Sequence, residues 1–216
     1  MEAVAATSLS AGTVLQWMHH CADTYVQHKD ELTELDAAIG DADHGANMAR
    51  GFTAVKGKLD GLKDKDIGAI FKTIAMTLIS TVGGASGPLY GTLFLQAANG
   101  ANGKNALTHE ELVAALSAGL QGLMNRGKAV VGEKTMVDAL VPALAALKPI
   151  ENDSIAAALD RAVAAAKTGA DSTIPLVAKK GRASYLGERS AGHLDPGASS
   201  SVLMLEALQQ AIHSAA

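Results

Sequence analysis

The chain has 216 residues, a formal net charge of −4, and side chains that are 48% hydrophobic but only 3% aromatic. That length supports one sizeable core and a single domain, 1–216, and the mild negative balance argues against the clustered basic face of a nucleic-acid binder. An apolar fraction made of Ala, Leu, Val, Ile and Met favours packed helices over sheets and predicts an all-α chain.

In chain order, the N-terminus lacks the basic start and long apolar core of a signal peptide. Val14, Leu15, Met18, Ala22 and Tyr25 then recur at helical spacing and mark a first helix. Trp17 belongs to its core face, and His19 and His20 to its surface. Cys21 is the single cysteine and lies within this helix, so no intrachain disulfide forms and a reducing cytoplasm is the natural compartment. Further helices are predicted at about 30–39, 46–60, 66–80 and 88–99, with "KGKLDGLKDKD" as a solvated helix end and loop. Leu112, Val113, Leu116, Leu120 and Leu123 mark another helix, opened by a capping-box pattern at Thr108 and Glu111. Helical pattern returns at about 135–147, 154–178 and 199–214, with Pro175 expected to kink or break the long stretch. Strand signal is scarce, the weak alternation of "VGEKTMV" being its best instance, and no run approaches the roughly 20 apolar residues of a membrane span. A soluble antiparallel helical assembly follows, whose loops are the place to look for chemistry.

Four loops are unusual. "IGDADHGANMARGF" places Asp41 and Asp43 two apart between Gly40 and Gly45, with Asp36 one helical turn earlier. Three carboxylates held together repel unless a cation sits between them, and a hard cation such as Mg2+ suits oxygen ligands. An EF-hand is excluded by counting, since from Asp41 the glycine falls fifth and Phe52 twelfth. The alternative is an exposed acidic turn at a helix N-terminus, where acids are favoured in any case.

"TVGGASGPLYGT" reads as a phosphate cradle or as a tight turn before a helix. "RGKAVVGEKTM" misses a P-loop because Glu133 intervenes before Lys134 and Thr135 and no strand precedes it; Gly127, Thr135 and Met136 remain as walls for a nucleotide. "GRASYLGERSAGHLDPGASS" carries Arg182, Arg189, His193 and Asp195 in a long aperiodic stretch, either a surface Ω-loop or a functional one whose Arg binds phosphate oxygens. Together the loops supply carboxylates for a metal, glycine backbone for phosphates, a Met-lined slot and an Arg for a transferred group.

In this order the four motifs resemble the nucleotide-binding L subunits of dihydroxyacetone kinases, over about residues 10–214. The resemblance implies an antiparallel barrel of eight α-helices that holds ADP or ATP and two Mg2+ ions in loops at one end. It implies Asp36, Asp41 and Asp43 as metal ligands. Around the nucleotide it places His44, Gly45, Ala46, Asn47, Ala85, Ser86, Gly127, Met136, Arg182, Asp195, Pro196 and Gly197, with Arg182 also the catalytic candidate that steadies the transferred phosphoryl group. A K subunit would hold dihydroxyacetone covalently through a histidine. In the phosphotransferase-system form, a phosphoenolpyruvate-fed M subunit recharges ADP in place, and a free chain of 216 residues fits that form. The alternatives are an L-type subunit of an ATP-dependent kinase for dihydroxyacetone or another ketose or polyol, and a non-catalytic ADP-loaded module that reports to a transcription regulator. A homodimer is compatible with each; nucleic acid and membrane are not expected partners.

Overall fold

The computed structural model describes residues 8–149 and 153–215. Where polar residues sit just ahead of apolar periodicity, they start helices by accepting otherwise unpaired backbone N–H groups. Ser10 caps α1 (Ala11–Gln27), Asp66 caps α4 (Ile67–Thr81) and Ser154 caps α8 (Ile155–Asp171). Full capping boxes open α6 (His109–Gly127), from Thr108 and Glu111, and α7 (Met136–Ala146), from Thr135 and Asp138. The remaining helices are α2 (Lys29–Ile39), α3 (His44–Lys56), α5 (Ser86–Gly100) and α9 (Pro196–Ala215). Among the described residues the fold is all-α apart from one antiparallel pair, β1 (Ser8–Ser10) with β2 (Ala106–Thr108), in which Leu9 faces Leu107. Three residues are too few to register as alternation, so this pair leaves no sequence signal.

Two helix boundaries differ from the sequence reading. Helix α3 starts at His44 and ends at Lys56; a separate 3-10 turn, Leu59–Leu62, follows and buries its two leucines while its charges stay exposed. Helix α8 ends at Asp171, four residues ahead of Pro175, in successive tight turns from Thr173 to Ala170, Ile174 to Asp171 and Leu176 to Thr173. Proline disfavours helical backbone in the residue before it, so the break falls upstream of the ring itself.

Helices in contact run in the order α1, α3, α4, α5, α6, α7, α8 and α9, and α9 packs back on α1. Helix α2 lies against α3 and α9. Every aromatic side chain except Tyr185 is buried in one core. Trp17 packs on Phe71 and Phe94 with ring centroids 6.2 and 5.6 Å away, and its Nε1 donates to the Met204 carbonyl at 2.9 Å. Burying a side chain of this size stabilises by about 1.5–3 kcal/mol. Cys21 is fully buried in the same core, and burial pushes its thiol pKa up, as expected of a structural cysteine. Among the described residues, no helix is long and apolar enough to cross a membrane.

Candidate functional site

The corner between α2 and α3 is organised by Asp36. Its Oδ2 accepts the backbone N–H groups of Asp43 at 2.8 Å and His44 at 3.1 Å, satisfying the start of α3 in place of a side-chain cap from Asp43. The Asp43 carboxylate is thereby left free to face outward with that of Asp41. Ligand oxygens of Asp36, Asp41 and Asp43 all lie within 4.8 Å of one another. Gly40 is required here, because a Cβ at this position would sit 2.0 Å from Asp36 Oδ1 and displace the carboxylate. The donor set is all hard oxygen, which fits Mg2+.

His44, the first residue of α3, ties three elements together. Its Nδ1 lies 3.1 Å from Ser86 Oγ at the start of α5, and its Nε2 lies 2.9 Å from Ser200 Oγ in α9. Ser200 Oγ is in turn 2.8 Å from the Tyr90 hydroxyl. Burial lowers the His44 pKa against the opposing pull of Asp36 and Asp43, so the ring is a neutral imidazole with a hydroxyl at each nitrogen. Tyr90 is pushed up to about 12, also by burial, and stays protonated.

Four helices, α3, α5, α7 and α9, thus present their N-termini to one cavity of about 370 Å3. Helix N-termini carry partial positive charge, which favours an anion here; Asp36, Asp138 and Asp195 already accept N–H groups where α3, α7 and α9 begin, and the start of α5 has no side-chain cap. Ile39, Leu89, Leu123, Ala129, Met136 and Val137 line an apolar side, and Arg126, Lys180 and Arg182 lie on the wall as well. The volume falls in the usual range for small-molecule sites, about 300–1,000 Å3. Arg182 is largely exposed and pairs with Asp41, its Nε lying 2.9 Å from Oδ2. An exposed pair of this kind holds loosely, which leaves the guanidinium available to a ligand.

Of the residues singled out from sequence, Asp36, Asp41, Asp43, His44, Ala85, Ser86, Gly127, Met136, Arg182, Asp195, Pro196 and Gly197 line this cavity. Gly45, Ala46 and Asn47 stand behind the wall in the first turns of α3. Gly45 packs on the Lys29 carbonyl, and Asn47 Oδ1 accepts from Arg50 Nη2 at 2.6 Å. Arg189 and His193 are exposed, and neither lines the cavity. Sequence reading missed Lys134, Asp138 and Ser200. Asp138 accepts from the N–H groups of Gly132 and Thr135, and the "TMVD" spacing was its available signal. Lys134 was visible only as the misplaced lysine of a failed P-loop.

Asp195 caps α9 through Ala198 N at 2.7 Å, and burial pushes its carboxyl up to about 7 despite that bond and the nearby Lys134 ammonium. Because the folded value exceeds the unfolded one of about 3.9, the fold prefers the protonated form. Its contribution to stability is full below about pH 4 and lost as pH rises through about 7. Asp195→Asn keeps a cap acceptor without the titration. In EDTA, urea unfolding from pH 4 to 8 should show the Asn variant gaining on the parent up to about pH 7 and then holding a constant lead. Parallel curves would refute the shift.

Residues 38–210 match the family described as DAK2 domain. The chain is 49% identical to the "PEP-dependent dihydroxyacetone kinase, ADP-binding subunit DhaL" of Escherichia coli K12 over 203 residues, 93% of this chain and 97% of the relative. It is 44% identical to the corresponding subunit of kinase 1 from Listeria innocua, over 91% of this chain and 94% of that one. Among solved structures, the dihydroxyacetone kinase of C. freundii in complex with AMP-PNP and Mg2+ superposes with a TM-score of 0.72 at 28% identity. That match covers 93% of this chain, which spans about a third, 34%, of the longer polypeptide. The chain belongs to the DAK2-domain family.

Proposed function

We propose that this chain is the ADP-binding subunit of a phosphoenolpyruvate-dependent dihydroxyacetone kinase, one L-type domain folded as an antiparallel eight-helix barrel. The observation that carries the reading is the near full-length likeness to curated ADP-binding subunits, joined to a cavity that sets three carboxylates against four helix N-termini. Asp36, Asp41 and Asp43 would hold two Mg2+ ions. When bound, these ions neutralise charge on the nucleotide phosphates and make the terminal phosphoryl group transferable.

The chain's own residues do the rest. Where α3, α5 and α9 begin, Ala85, Ser86, Pro196 and Gly197 stand at the surface, and the uncapped start of α5 orients the phosphates through its backbone N–H groups. His44, held neutral between Ser86 and Ser200, keeps these helix starts in register and adds no charge of its own. Gly127 and Met136 flank the base, and Gly45, Ala46 and Asn47 support the wall from behind. Arg182 swings from Asp41 to the phosphoryl group in flight and lowers the transition state by electrostatics. A K subunit presents dihydroxyacetone, bound through a histidine, and an M subunit recharges the ADP without its release. The reaction is cytoplasmic.

Arg182→Ala should leave Mg-ADP affinity within a few-fold of the parent and slow transfer by about 100-fold or more, the scale seen when one charge-stabilising donor is removed. Isothermal titration and a coupled dihydroxyacetone phosphate assay separate the two effects. The function itself is tested by mixing the purified chain and ADP with K and M subunits and a phosphoenolpyruvate-fed donor. Restored phosphorylation supports the subunit reading; an ADP-loaded chain that never exchanges phosphoryl groups would instead be a regulatory module.

A further inference from the structure

Lys134 lines the cavity, yet its side chain is 1% exposed and its backbone is left-handed, with φ at 62°. Its Nζ donates to the carbonyl oxygens of Thr173 at 2.6 Å, Ile174 at 3.4 Å and His193. An ammonium has three protons, so all its donors are committed to backbone and none is left for a phosphate. The three acceptors come from the exit of α8 and the approach to α9. Between them the chain runs out and returns through residues 175–192, and its neck is closed by Gly192 N donating to Ile174 O at 2.7 Å. Arg182 rides on this excursion. Asp195, just past the neck, is held by its N–H to Thr173 Oγ1 at 3.0 Å. Burying a charged ammonium and a left-handed non-glycine backbone at one residue is unfavourable, and it persists where surrounding contacts over-determine it. Here those contacts are the two strands of the neck.

We propose that Lys134 is a positioning residue for phosphoryl transfer: its ammonium clamps the neck of the 175–192 excursion and so sets Arg182 over the nucleotide phosphates. The proposal rests on the nucleotide-site reading above. Its test uses Lys134→Met, which keeps an unbranched apolar stem one atom shorter and removes the charge and donors. In the kinase reconstituted with K and M subunits, kcat should fall about tenfold or more with KM for dihydroxyacetone unchanged, whereas in an Arg182→Ala background the same substitution should cost less than about twofold. Amide hydrogen exchange on the full chain without partners should rise about tenfold or more within 175–192 and stay at parental rates in α1, α4 and α5.

Equal kcat losses in both backgrounds, unchanged exchange in 175–192, or a rise spread evenly over the chain would each overturn the proposal. If the parent itself supports no phosphorylation, the functional reading fails while the exchange pattern still decides the clamp. Should the methionine variant not fold, Lys134→Gln, which retains two N–H donors on a shorter arm, is judged by the same criteria.

Discussion

Asp43→Asn is expected to weaken Mg-ADP binding by at least about 100-fold, since even loss of a partner behind a metal ligand commonly costs 10–100-fold in affinity. Asp41→Asn should act in the same direction. Both carboxylates are exposed, and neither is the acceptor that starts α3, a task Asp36 performs with its Oδ2. Removing one of them therefore removes charge without unpairing the backbone. Three carboxylates within 4.8 Å repel one another, so in EDTA the Asp43→Asn variant should melt at the parental temperature or slightly above it. Asp36→Asn should behave differently, because an amide accepts the Asp43 and His44 N–H groups less strongly than a carboxylate does. It should lose both Mg-ADP binding and stability. Titration calorimetry with Mg2+ and with EDTA, beside thermal melts, reads both effects. Mg-dependent binding retained in Asp43→Asn would remove the metal assignment.

Gly45→Ala should be the most damaging small substitution in the first turn of α3. An added Cβ would lie 1.9 Å from the Lys29 carbonyl oxygen and 2.5 Å from Thr33 Oγ1. The nearest obstacle is helix backbone, which cannot rotate away as a side-chain tip can, so α2 and α3 must separate. Overpacking of this kind costs on the order of 3 kcal/mol, which for a chain of this size lowers Tm by roughly 6–12 °C. The same shift would move Asp36 relative to the start of α3, so Mg-ADP affinity should fall with stability. Ala46→Ser, at a half-buried neighbour, should leave Tm within about 2 °C. A Gly45→Ala variant that melts like the parent and loses only nucleotide would show that this glycine serves the ligand directly and not the packing of α2 on α3.

These two cases show where sequence reading reaches its limit. The Asp41–Asp43 pair was legible because both residues share one short turn, whereas no spacing reveals that the carboxylate capping α3 is that of Asp36, from the preceding helix. Gly45 was assigned to the nucleotide by resemblance, while in space it faces α2. Lys134 was set aside on spacing from a P-loop, and its three acceptors lie about forty and sixty residues downstream, beyond any local pattern.

From residues alone came the all-α class, the order of the helices, the capping box that opens α6 and the four loops singled out as unusual. These follow from short-range physics, the 3.6-residue period of apolar burial and the N–H groups that open each helix. The tertiary structure alone decided that four helix N-termini meet at one cavity and that Lys134 and Asp195 are buried beside it. Each of those depends on contacts between segments far apart in the chain, where the partner of a side chain is set by packing and not by its neighbours in sequence.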